Sequence, residues 1–406
     1  MVPVSITNWA RSVEFRPSAL HRPASLDELR SLVASNPKVR ALGSGHSFNE
    51  LAATTGALIA MDSLPPVMEL GPDVVRVAGG VRYAELGRFL DGHGRAVHNL
   101  ASLPHISVAG SIATGTHGSG DRNGGLASAV VGLSLVTASG DLVELDRGSP
   151  DFAGAVVGLG ALGMVVAVTL ETQPSFEIRQ YVYEDMPMDA DFDTVASSAY
   201  SVSHFTTWRA PVWDQVWVKR RSTEPPPVDW QGARAATVPH HPVPGMSPEH
   251  CTAQLGEPGP WFERLPHFRP DFTPSSGEEL QSEYLIPRTS VSAALGALRS
   301  LAGRIAPILQ ICEVRTIAAD DLWLSPAHGR DTVGLHFTWI KDEARVRTVL
   351  SDLEAALAPY DARAHWGKLF LTGPRYPRMA DFGELARRYD PDGKFRNDFL
   401  DSYVFA

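Results

Sequence analysis

At 406 residues, 44% hydrophobic and 20% charged, the chain is long enough for about two or three domains with cores of their own, and its composition excludes a disordered or fibrous polypeptide. The formal net charge of −10 argues against a nucleic-acid partner and against attraction to an anionic membrane surface. The two cysteines, Cys251 and Cys312, have neither metal-ligand spacing nor the numbers of a disulfide framework, which points to a reducing, cytoplasmic setting.

The first seven residues lack a basic region followed by a long apolar core, so no secretory signal is expected. Residues 24–33 predict a helix: Ser25 stands as N-cap, Glu28 follows three residues later, and Leu26, Leu29, Leu32 and Val33 recur at helical spacing. That helix leads into an apolar strand over 39–42 and then into Gly43-Ser44-Gly45-His46-Ser47-Phe48-Asn49. Two glycines one residue apart let the backbone turn sharply and present consecutive N–H groups, an anion nest whose usual guest is a diphosphate. Such a cradle has no need of the histidine. As a dinucleotide fingerprint the stretch fails at Phe48, where a third glycine should stand. As a nucleophile elbow, with Ser47 attacking, it departs from the pattern at Asn49. As a flavin-binding loop it gives His46 a purpose, covalent attachment of the cofactor. A plain glycine turn carrying a surface histidine is the fourth reading, and the stretch alone leaves all four open.

Short strands over 57–61 and 74–77 and an amphipathic helix over 82–92 follow. A second glycine-rich tract, 105–120, places Ile106, Val108 and Ile112 at intervals among small residues and hydroxyls. A flexible linker would not do this, whereas the cradle of a large polar cofactor would. Residues 133–137 and 142–145 flank Ser139-Gly140-Asp141 as a hairpin. Residues 152–170 carry no charge over a length that approaches a membrane span, but Gly154, Gly158, Gly160 and Gly163 interrupt them. Residues 164–170 read as a buried strand, and no membrane association is expected.

The composition changes near Pro174, where a domain boundary is placed, and a proline-rich tract occupies 224–250. His240, His241, His250 and His267 lack tight ligand spacing and read as packed or solvated loop histidines; no metal site is expected. After a helix over 288–304, alternation puts Glu313 and Arg315 on one face of a strand over 311–317, and His336 and Thr338 on one face of another over 335–339. On an exposed sheet these would be ordinary surface pairs; lining a pocket they would carry chemistry. A helix over 342–357, His365-Trp366-Gly367-Lys368, a helix over 381–389 and Asp390-Pro391-Asp392-Gly393-Lys394-Phe395 complete the pattern.

The Gly43–Asn49 loop, the tract 101–120, Glu313-x-Arg315, His365-Trp366-Gly367-Lys368 and residues 390–395 together resemble, along nearly the whole chain, the alditol oxidases. These are FAD enzymes of the vanillyl-alcohol oxidase superfamily, related to the sugar-lactone oxidases. Ala101-Ser102-Leu103-Pro104-His105-Ile106-Ser107, with Glu313-x-Arg315, is the part more particular to that family. The resemblance implies an α+β, two-domain FAD-binding (PCMH-type) fold with a substrate domain built on an antiparallel sheet. Residues 1–174 would bind FAD, 175–365 would bind substrate, and 366–406 would return to the FAD domain. FAD would be bonded covalently through His46. Gly43, Ser44, Gly45, Ser47, Phe48, Ser102, Ser107, Gly110, Thr114, Gly115, Thr116, His117, Val165 and His365 would contact it. Ser102, Glu313, Arg315, Thr338 and Lys368 would hold the polyol, with His336 beside them. The connection from Lys368 to Tyr376 is shorter than the family's usual one, which bears on the pocket's edge and not on the chemistry.

The activity implied is oxidation of the terminal primary alcohol of an alditol (xylitol, sorbitol or glycerol), with O2 reduced to H2O2, by a monomer. In that chemistry Arg315 and Lys368 are cations suited to a developing alkoxide. Lys368, if desolvation lowers its pKa, and His336 are the rival bases, and Glu313 suits the polyol's other hydroxyls. A regular strand over 365–370 would point His365 and Lys368 to opposite faces, so a bend is expected at Gly367. The nearest alternative is a sugar-lactone oxidase or a dehydrogenase using another electron acceptor. A serine hydrolase acting through Ser47 and a flavin- or sugar-binding protein without turnover stand further off.

Overall fold

β1 (Ala19–His21) precedes α1 (Leu26–Ser35), which Ser25 caps as expected while Glu28 reaches one residue further back, to Ala24. The Glu28 amide donates to Ser25 Oγ at 3.2 Å, and the Ala24 amide donates to the Glu28 carboxylate at 2.8 Å, satisfying donors that a helix start leaves open. β2 (Val39–Leu42) and β3 (Ala57–Ala60) join β1 in a parallel sheet of order β1-β3-β2. β4 (Met68–Leu70), β5 (Val74–Ala78), β6 (Val130–Val136), β7 (Leu142–Asp146) and β8 (Met164–Glu171) form an antiparallel sheet of order β7-β6-β8-β5-β4. Leu29 and Val33 of α1 share one core with Val39, Ile59, Val136, Met164 and Phe395. α2 (Tyr83–Gly92) and α3 (Val108–Ala113) lie between β5 and β6 in the chain. The computed structural model describes residues 5–226, 230, 232–271 and 278–405. Residues 1–4 of the N-terminal segment read above, and 227–229 and 231 of the proline-rich tract, lie outside the described residues.

The uncharged stretch 152–170 resolves into a short helix, Phe152–Ala155, a glycine-rich loop and β8. Among the described residues no helix is long and apolar enough to cross a membrane.

A second, larger antiparallel sheet follows. β9 (Glu177–Pro187), β10 (Ser201–Thr206), β11 (Val212–Arg221), β12 (Glu279–Pro287), β13 (Leu309–Ile317) and β14 (Thr332–Ile340) run in the order β9-β11-β10-β13-β14-β12, and short strands extend it to nine. Leu335, Phe337 and Trp339 of β14 share a core with Leu298 of α4 (Val291–Ser300) and with Val346, Leu350 and Leu353 of α5 (Glu343–Leu357). The opposite face of β12–β14 carries the polar residues. The helix expected over 288–304 is broken at Leu301 (φ −96°, ψ 1°), whose amide bonds the Leu298 carbonyl in a tighter turn.

Beyond α6 (Met379–Tyr389) the chain comes back to the first sheets. The Val39 amide donates to the Lys394 carbonyl at 3.0 Å, Lys394 Nζ donates to the carbonyls of Val33 and Ala138, and Phe395 fills the core under α1. Asn397, which caps α7 (Asp398–Tyr403), donates to the carbonyls of Glu50, Leu51 and Ala53.

Candidate active site

One cavity of about 420 Å³ runs between the N-terminal sheets and the polar face of β12–β14. On its first wall stands the loop after β2. Gly45 turns with φ +69°, its carbonyl accepts from the Trp9 amide at 2.8 Å, and the Ser47 carbonyl accepts from Asn8 Nδ2 at 2.9 Å. A Cβ on Gly43 or Gly110 would stand 2.7 or 2.8 Å from Ser107 Oγ, so the two glycines leave room for that hydroxyl between them. His46 stacks on Trp9 with ring centroids 5.2 Å apart. Its Nδ1 lies 3.1 Å from the Ser44 carbonyl, and its buried Nε2 has no partner. Burial pushes its pKa down to about 4, leaving a neutral imidazole with a lone pair.

The opposite wall follows from strand register. Glu283 on β12 and Glu313 on β13 both lie directly opposite His336 on β14, and directly opposite residues share a face. Glu283, 1% exposed, meets three groups: His117 Nε2 at 3.1 Å, Arg315 Nη2 at 3.2 Å and His336 Nδ1 at 3.2 Å. Burial alone would raise its pKa, but these partners outweigh burial and hold it well below the carboxylate range. Glu313 is depressed in the same way by Arg315 and His267, and Arg315 is raised against its own burial by the two carboxylates. Arg315 Nη1 also donates to Ser102 Oγ at 3.2 Å. An ionised Glu283 can only accept, so His336 carries its proton on Nδ1 and leaves Nε2 as an acceptor, 3.4 Å from the Thr338 hydroxyl. Burial lowers the His336 pKa, so the ring is neutral.

Between the walls the chain turns where a bend at Gly367 is expected: the Lys368 amide donates to the His365 carbonyl at 3.0 Å and the Gly367 amide to His365 Nδ1 at 3.0 Å. The turn is tied to the flavin-type loop. The Phe48 amide donates to the Gly367 carbonyl at 2.8 Å, and Asn49 Nδ2 donates to the carbonyls of Trp366 and Lys368 at 2.7 and 2.9 Å. Lys368 Nζ lies 5.1 Å from the Phe48 ring centre and donates to Gln281 Oε1. Burial lowers its pKa to about 8, partly offset by Glu283. Burial also drives His365 down to about 3.

Ser102, Ser107, Gly110, Thr114, Thr116, His117, Val165, His365 and the Gly43–Phe48 loop all line the cavity, as do Glu313, Arg315, His336, Thr338 and Lys368. Gly115 does not. It sits at a turn with φ +67°, its amide bonds the Ile112 carbonyl, and a side chain there would strike Pro326 at 2.7 Å. His117 joins the charged cluster through Glu283. His267, read above as a packed or solvated loop histidine, is buried against Glu313 at 2.9 Å. Glu283 and Gln281 were not anticipated, although Glu279-Leu280-Gln281-Ser282-Glu283 has the alternation that would have flagged them. The unpartnered His46 Nε2 and Ser107 Oγ, together with the glycine cradle, fit FAD, whose diphosphate the nest would hold.

Two family models match, one described as an FAD binding domain over residues 17–146 and one as D-arabinono-1,4-lactone oxidase over residues 278–403. A solved solvent-stable cholesterol oxidase superposes with a TM-score of 0.77 at 16% identity, covering 99% of this chain and 97% of its own. A cholesterol oxidase from B. sterolicum gives 0.73 at 15%, covering 98% and 96%. The class is therefore that of the PCMH-type FAD-binding proteins of the vanillyl-alcohol oxidase superfamily. An alditol oxidase of Streptomyces sp. is 53% identical over 98% of each chain. An L-gulono-1,4-lactone dehydrogenase of Mycobacterium tuberculosis is 31% identical over 97% of each, and an L-gulonolactone oxidase of Mus musculus 26% over 99% and 98%. The chain belongs to the alditol oxidase family.

Proposed function

We propose that this protein is an FAD-dependent oxidase that takes the terminal primary alcohol of an alditol such as xylitol or sorbitol to the aldehyde. One observation carries the reading: the glycine nest with His46 and the Glu283–His336–Glu313–Arg315 face line the same cavity, with Lys368 between them. Bound FAD supplies the hydride acceptor and returns the electrons to O2, giving H2O2. Covalent attachment through His46 is supported by its neutral imidazole, whose buried Nε2 has no partner.

Lys368 and Arg315 hold the reacting hydroxyl and favour its alkoxide. His336 Nε2 takes the proton, while Glu283 keeps Nδ1–H oriented and stabilises the imidazolium that forms. Glu313, Ser102 and Thr338 accept or donate to the polyol's remaining hydroxyls. The same reading divides the chain at Pro174 and at 365, supported by the change of sheet after β8 and by the return of residues 394–397 to the first sheets. A cytoplasmic monomer is the companion proposal, its compartment supported by two free buried cysteines.

The test is to denature the purified protein in acid and ask whether flavin colour stays with the polypeptide, with His46→Ala alongside, and then to assay peroxide from xylitol, sorbitol and a γ-lactone. Colour retained in the parent and lost in the variant, with peroxide from the alditols, is the expected result. The match of residues 278–403 to a lactone oxidase model makes the lactone the competing substrate class, and peroxide from it alone would reassign the activity.

A further inference from the structure

A second run of polar groups leads back from the substrate wall, from Glu313 and His267, which line the cavity, to Lys219, which does not. Lys219 on β11 is 1% exposed, and its Nζ donates to the carbonyls of Leu265 and Pro266 and to Nδ1 of His267, the last two at 3.1 Å. His267 Nε2 in turn lies 2.9 Å from Glu313 Oε1. The carboxylate end dictates every direction in this run. Glu313 is ionised and only accepts, so Nε2 carries the ring proton, Nδ1 is bare and Lys219 donates to it. Burial and the neighbouring Lys219 keep His267 down at about 4, and burial, opposed by Glu313, brings Lys219 to about 7.

The ring cannot turn away. Trp217 and Phe205 pack edge-on against it at 5.1 and 5.6 Å, and its own backbone amide donates to the Ser102 carbonyl at 3.1 Å. A buried lysine is a poor choice for stability, since an apolar side chain of similar volume would avoid the desolvation it incurs. Its placement is explained by what it orients.

We propose that Lys219 and His267 are positioning residues that lock Glu313 in one orientation to receive the hydroxyls of a polyol away from its reacting carbon. The pair thereby selects polyols over simple alcohols; this rests on the alditol reading above. The test is steady-state kinetics of the holoenzymes on xylitol, with bound-flavin absorbance reporting the fold. His267→Leu and Lys219→Met are expected to raise KM about tenfold, the scale of one charge-assisted hydrogen bond, while kcat changes by less than about threefold. His267→Gln, whose amide can still donate to Glu313, is expected to keep KM at least about threefold below that of His267→Leu. Should Lys219→Met fail to hold flavin, the two His267 variants decide. An unchanged KM in His267→Leu, or equal losses in Leu and Gln variants carried by kcat, overturns the positioning role. No peroxide from xylitol with the parent would instead remove the alditol reading and this one with it.

Discussion

Lys368 and His336 divide work that either could do alone. With Nδ1–H committed to Glu283, His336 offers Nε2 as a base, and Lys368, lowered to about 8, is still largely a cation at neutral pH. The two assignments predict opposite pH profiles. With His336 as base, kcat/KM on xylitol falls on the acid side, below the ordinary imidazole value of about 6.5, where Nε2 gains a proton. It also falls on the alkaline side as Lys368 loses its charge through about 8. With Lys368 as base, activity would climb through that same pH. Rapid-reaction reduction of the flavin by xylitol across pH 5 to 10 separates the two. His336→Asn is expected to slow reduction by about 10²–10⁴. Glu283→Gln should do comparable damage and also destabilise the fold by about 1–3 kcal/mol, because it removes one of the two buried carboxylates facing Arg315; thermal unfolding measures that part.

At the scale of elements, the turn 365–368 is the part that joins the two halves of the site. Asn49 spans from the flavin-type loop to the Trp366 and Lys368 carbonyls and also accepts from the Leu51 amide. Asn49→Ala is expected to cost about 1–3 kcal/mol in chemical denaturation and to lower kcat more than it alters flavin content, because Lys368 loses its seat. The bend could be read in advance because two residues wanted on one side stood three apart. Glu313 with Arg315, and His336 with Thr338, were equally legible, since period-two alternation needs only the local chain. Glu283 was not. The alternation of its strand puts Glu283 on a polar face with Glu279 and Gln281, but only the register with β14 shows that this face lines the cavity. His267 was less legible still: its position depends on a fold-back in which the Thr252 amide reaches the His267 carbonyl, a contact with no periodic trace. Gly115 has a reason of its own to be glycine, the positive-φ turn that it makes beside Pro326.

The molecule as a whole buries several neutral imidazoles. Desolvation takes His46 and His267 to about 4 and His204 and His365 to about 3. A histidine depressed in the folded state favours unfolding wherever the unfolded chain binds the proton and the native one does not. Stability should therefore decline as pH falls from about 6.5 toward 4, before most carboxylates titrate. Calorimetry of the holoenzyme at pH 7, 6 and 5 is expected to show a falling midpoint. His204→Phe, a ring packed between Phe192 and Trp213 and away from the cavity, should flatten the slope.

The return of residues 394–397 to the first sheets sets an order of events during biosynthesis. The strands around His46 leave the ribosome early, yet Phe395, which fills their core, and the Lys368 turn, which anchors their loop, follow only after every strand of the large sheet has been made. A nascent chain therefore spends most of translation with an open apolar groove where its cofactor half should close. Flavin capture becomes a post-translational act, and until then that groove is open to contact with other chains.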